Sequence, residues 1–185
     1  MSGERRIVWR RENAATFETC VVHLGRREAE GVVAGMIGAE PVSIRWRVGW
    51  DEAWHTRRAQ VERLDRRGTE MMLASDAAGA WHDSTGAHLV ALDGCLDVDL
   101  GCTPFTNTLA IRRLALAVGQ SAAITVAYVA VPALTVAPAA QRYTRLAGER
   151  YRYEGIFRAF TGELLVDAEG IVRSYQDTFT RVEGT

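Results

Sequence analysis

The chain has no lysine. All 22 of its basic residues are arginine, so every cation is a planar fork suited to carboxylate, phosphate or ring contacts, and no amine is available to form a Schiff base. No run of about 18 apolar residues exists, so no spanning helix and no stable membrane insertion are expected. The opening MSGERRIVWRREN lacks the apolar core and small-residue cleavage site of a secretory signal, which leads to the expectation of a cytoplasmic protein. Cys20, Cys95 and Cys102 are odd in number and lack CxxC spacing, so they read as reduced thiols and not as a zinc site. Cys20 sits in a strand-like run, where a small core residue is expected before a nucleophile.

Catalytic signatures are missing as well. His23, His55, His82 and His88 show no HxH or HExxH spacing. There is no GxSxG elbow and no glycine-rich phosphate loop before a helix. No cofactor and no metal are expected. The net charge of -1 supplies no field toward nucleic acid, and no nucleic-acid partner is expected. Linkers, low-complexity tracts and charge blocks are absent, so residues 1–185 read as one domain.

What is there is β structure. Of the 185 residues, 48% are apolar and 24% charged, ordinary globular values that allow roughly 70% of the chain's surface to be buried. Gly79, Gly86, Gly94 and Gly170 each close a turn that also holds Asp or Ser. Between the turns lie short runs rich in Val, Ile, Leu, Thr, Trp and Tyr, the rhythm of an antiparallel sheet. Val42, Ile44, Trp46 and Val48 alternate with Ser43, Arg45 and Arg47. Leu96, Val98 and Leu100 oppose Cys95, Asp97 and Asp99. Tyr151 and Tyr153 alternate with Arg152 and Glu154. All fit strands with one wet face. Residues 122–131 read as a strand buried on both faces. One short helix is expected near residues 106–117, with Thr106 or Asn107 as N-cap and Gly119 as the left-handed stop. The segments from Glu70 to Gly79 and from Glu163 to Gly170 resemble each other, each a strand entering a glycine-closed turn. A generic hairpin is the simpler account, ahead of an internal duplication.

Three segments hold candidate binding residues. In the first, Trp46, Trp50 and Trp54 lie near Arg57 and Arg58, a set able to stack on sugar rings or hold an anionic head group. The same residues also suit core tryptophans with a solvated arginine face, and Asp51 with Arg57 or Arg58 suits a turn ion pair. In the second, Asp97 and Asp99 sit two apart on a strand and point to one side, roughly 6–7 Å from each other. They suit pairing with Arg112 or Arg113, and also a hard cation or acid–base work. Asn107 follows as a helix cap or a ligand contact. In the third, Arg142 and Tyr143 precede Tyr151 and Tyr153, a pattern that suits an amphipathic groove or edge strands with one polar face.

These segments also carry a resemblance. The succession VWR, WDEAWHTRRA, LDGCLDVDLGCTPFTNTLAIRRLAL, VPALTV, QRYTRL, YRYEG and VDAEGIVRSYQDTFTR resembles the bacterial "putative glycolipid-binding" family, over Val8 to about Arg181. The resemblance implies a large curved antiparallel sheet, a β-roll or open barrel, similar to lipoprotein and lipid carriers. It implies a glycolipid or similar amphipathic small molecule as ligand. The leading expectation is therefore a binding protein whose candidate residues are those named above. The runner-up is an enzyme on a sugar or nucleotide derivative using Asp97 and Asp99. A third reading is an interaction protein whose sheet pairs with itself to form a homodimer.

Overall fold

A computed structural model describes residues 3–76 and 78–182. Fourteen strands form one sheet. In chain order they are β1 (Glu4–Arg11), β2 (Ala15–His23), β3 (Glu28–Ile37), β4 (Glu40–Trp50), β5 (Thr56–Arg63), β6 (Glu70–Ser75) and β7 (Trp81–Asp83), then β8 (Asp97–Leu100), β9 (Ser121–Ala130), β10 (Thr135–Ala147), β11 (Arg150–Gly155), β12 (Phe160–Val166), β13 (Val172–Tyr175) and β14 (Phe179–Val182). Between β8 and β9 lies α1 (Thr106–Leu114), the single α-helix among the described residues. The sheet order runs from β7 down to β1, then from β14 down to β8. The first half is a meander, the second is one from β9 to β14, and the two meet where β1 pairs with β14. All pairings are antiparallel except β8 with β9.

Alternation drives this architecture. In β2, Thr16, Glu18, Cys20 and Val22 are buried while their neighbours face outward. In β4, Val42, Ile44, Trp46 and Val48 are buried and Arg45 and Arg47 exposed, as the sequence pattern requires. The same parity repeats from strand to strand, so one face of the sheet lines a continuous core. The sheet curls around α1, whose residues Thr106 to Ile111 are all buried. It does not close by a strand ladder. Thr56 spans the gap instead: its amide donates to the Leu96 carbonyl (2.9 Å) and its hydroxyl accepts from the Val98 amide (3.1 Å).

The details depart from the sequence reading in three places. β8 has no wet face: Asp97, Val98 and Leu100 are all buried, because α1 packs over the aspartate side. β9 is continuously shielded only near Val126 and Ala127, where β8 lies beside it; Ala123 and Thr125 are exposed. The helix stops at Leu114, with Ala115 in the left-handed conformation in place of Gly119 (φ 44°). Neither Thr106 nor Asn107 caps it. Phe105 is the N-cap residue, and the two polar side chains serve the buried interior: the Thr106 hydroxyl donates to Asp99, and the Asn107 amide donates to the Pro104 carbonyl.

Four hairpin turns share one construction. In each, an aspartate Oδ1 accepts from the amides two and four residues later, as Asp76 does from Ala78 and Ala80. Asp83, Asp167 and Asp51 repeat it. The third residue after the aspartate has positive φ, and it is Gly79, Gly86 and Gly170 in three turns. In the fourth it is Trp54, at φ 67°, a conformation that a bulky side chain adopts at a cost of roughly 1–2 kcal/mol.

Candidate binding site

Two concavities compete. The larger, about 700 Å3, lies on the outer face of the first half, against Glu28, Glu30, Arg47, Arg58, Gln60 and Met72. Its charges neutralise one another across neighbouring strands, Arg47 with Glu30 and Arg58 with Glu28, in an arrangement typical of a solvated sheet face. The smaller, about 350 Å3, opens into the interior of the second half. Size favours the first. Wall chemistry favours the second, which combines rings with a few convergent polar groups.

The rings come from separate strands. Tyr128 lies on β9, Tyr153 on β11, Phe160 on β12, Tyr175 on β13 and Phe179 on β14. Phe157 reaches in from a short 3-10 turn, Ile156–Arg158. Tyr153, Phe160 and Tyr175 meet in tilted and edge-on contacts, with centroids 5.7 to 6.3 Å apart, the geometry aromatic quadrupoles favour. Tyr128 and Phe157 lie 5.1 Å apart. Gly101 makes room for the Tyr128 hydroxyl: a Cβ there would lie 2.6 Å from it.

The floor is polar. Asp99 accepts from Thr106 (3.1 Å) and from Gln141 Nε2 (2.7 Å). The Tyr143 hydroxyl donates to Asn107 Oδ1 (2.8 Å). Burial, reinforced by the charge of Asp99, holds that phenol neutral by pushing its pKa well up. Arg11 stands at the rim, donating to Asn13 (2.8 Å) and lying over the Phe179 ring (5.4 Å). The polar groups are thus fixed by one another, a preorganised surface for hydroxyl-bearing ligands.

Behind Thr103, a lining residue, sits a carboxyl that the sequence reading passed over. Glu18 is 2% exposed. Its Oε1 accepts from Trp46 Nε1 (2.9 Å) and Thr103 Oγ1 (2.7 Å), and its Oε2 has no hydrogen-bond partner. Desolvation pushes its pKa up to about 8 despite those two bonds, so Glu18 is mostly protonated at neutral pH. The signal was in the strand: Glu18 shares parity with Cys20 and Val22, and a buried Cys20 brings Glu18 inside with it.

The sequence-derived candidates scatter over the molecule. Asp99 and Asn107 line the cavity, and Tyr143 lies beneath it. Asp97, 1% exposed, is gripped through both oxygens by Arg113 (2.6 to 3.1 Å). Trp46 and Trp50 pack on Phe105, each 5.8 Å away. Trp54 stacks on Trp50 (5.4 Å), and Arg112 covers Trp54 (4.9 Å). The three tryptophans therefore stack on protein rings and an arginine. Arg57 binds Asp51 and the Asp76 carbonyl. Arg58 pairs with Glu28 and Arg142 with Glu154 (3.8 Å), both on the outer face. No group of three or more His, Cys, Asp or Glu among the described residues could hold a metal ion. The three cysteines are buried and free, and burial pushes all their pKa values up, that of Cys95 to about 11. No helix among the described residues is long and apolar enough to cross a membrane.

Comparison with curated proteins gives no match. A crystal structure of a DUF1089-family protein from Pseudomonas aeruginosa superposes with a TM-score of 0.81 at 37% identity, covering 90% of this chain and 92% of that one. The family model described as "Putative glycolipid-binding" matches residues 6–181. By the extent of that match, the chain belongs to this family.

Proposed function

We propose that the chain binds an amphipathic glycoside of the glycolipid class in the interior cavity of its second half. The observation that carries this reading is the opposition of an aromatic wall to a hydroxyl-, amide- and carboxylate-bearing floor. Tyr153, Phe160 and Tyr175 offer ring faces and edges to the C–H face of a sugar, while Asp99, Thr103 and Asn107 meet its hydroxyls. The family's description points the same way. Catalysis by the Asp97 and Asp99 pair has less support: Asp97 is buried and Arg113 occupies both of its oxygens, so neither is presented to a substrate.

Isothermal titration with short-chain alkyl glycosides tests the proposal. Saturable binding is expected. Phe160→Ala should weaken it about tenfold, since base-free stacking contacts of this kind and the apolar area of a ring contribute on the order of 1–2 kcal/mol. Arg58→Ala, on the outer face, should leave binding unchanged. Equal loss in both variants would sink the cavity assignment.

A further inference from the structure

The size of the cavity and its polarity gradient dictate how such a ligand enters. A volume of about 350 Å3 lies at the small end of ligand pockets. A pyranose with its hydroxyls has about twelve heavy atoms and fits.

Polarity fixes the direction. The deep end presents Asp99, Thr103 and Asn107, and hydrocarbon pressed against them would remove water without replacing its hydrogen bonds. The mouth carries exposed rings, Phe157 at 40% and Phe160 at 37%, with Ile156 next to Phe157 in the chain, while Arg11 and Asn13 also line it. The charged groups among the described lining residues are Arg11 and Asp99, one of each sign, which favours a head without net charge. We infer that the cavity takes a single uncharged sugar ring head-first and leaves the hydrocarbon outside, so that the protein reads a head group and does not carry a lipid tail through water. The inference rests on the binding reading above.

Chain length separates the two. A methylene moved fully from water into an apolar pocket tightens binding about fourfold. The protein is titrated with ethyl, butyl, hexyl and octyl β-glucosides, galactosides and mannosides, each below its micelle concentration, and with octanoate. The expected result is a gain from ethyl to butyl, where the first carbons pass Phe157 and Phe160, less than about twofold in total from butyl to octyl, and no competition by octanoate. A rise of about fourfold per methylene sustained to octyl overturns the tail-outside inference and leaves glycoside binding standing. Octanoate binding without any glycoside binding overturns both. Failure of every probe overturns the binding reading, and this inference with it.

Discussion

Between β1 and β7 the interior is filled by tryptophan; between β9 and β14 it is lined by tyrosine. Trp9, Trp46 and Trp81 have no solvent exposure. Each indole N–H has one partner: the Val172 carbonyl, Glu18 and the Cys95 carbonyl. An indole needs a single acceptor and otherwise packs like hydrocarbon, so this half can be filled densely. A phenol both donates and accepts. Tyr143 donates to Asn107 Oδ1 and, at a longer 3.4 Å, toward Gln141 Oε1, and Gln141 in turn donates to Asp99. That network and its glycine-cleared rings leave a space that a packed core would not. Strands wound into one sheet thus enclose a half packed with tryptophan and a half that keeps a cavity lined by tyrosine and phenylalanine.

Truncations should expose that contrast. Trp46→Ala removes a fully buried ring and a donor to Glu18; a loss of about 4 kcal/mol is expected in urea unfolding. Phe160→Ala, on the cavity wall of the other half and 37% exposed, should cost under about 1 kcal/mol in the same assay. Comparable losses would erase the distinction. Arg113→Met strands the buried Asp97 carboxylate and should cost about 3 kcal/mol, most of it recovered in the Asp97→Asn, Arg113→Met double variant.

Glu18 ties the halves together through pH. Its folded pKa of about 8 lies above the ordinary 4.5. Between those values the folded chain holds a proton that the unfolded chain has lost, so this group's stabilising contribution is full below about pH 4.5 and falls away as pH rises to about 8. Glu18→Gln keeps an acceptor for Trp46 and Thr103 and does not titrate. It should stabilise the protein at pH 8 by up to about 4 kcal/mol and flatten the slope of urea midpoints against pH over that window. An unchanged slope would show that Glu18 does not titrate there. Tyr143→Phe should cost about 1 kcal/mol, with reduced glycoside affinity as the floor loosens.

Legibility in the sequence followed how local each cause was. The turns at Gly79, Gly86 and Gly170 could be read because positive φ selects glycine. The identical turn at Asp51 was signalled by its pairing with Arg57 instead, since Trp54 stands where glycine would have marked it and packs against Trp50 and Arg112. The pairing of Asp97 with Arg113 was anticipated from a strand followed by a helix. The cavity was not. Its rings come from β9, β11, β12, β13 and β14, and only their register brings Tyr128, Tyr153 and Tyr175 to one opening. Hydropathy alone would turn Phe17 inward and Glu18 outward, yet Phe17 is 57% exposed and Glu18 is buried.

The pairing of β1 with β14 places the first and last strands side by side in the middle of the sheet. During synthesis β1 emerges early, and its partner is made only after every other strand. The first meander must therefore wait with an open edge, a template for wrong partners until β14 arrives. Such non-local pairing should make folding slow. Cutting the link between β7 and β8 and joining the old ends would let the central pair form at once, at the cost of leaving the two outer edges as the new termini.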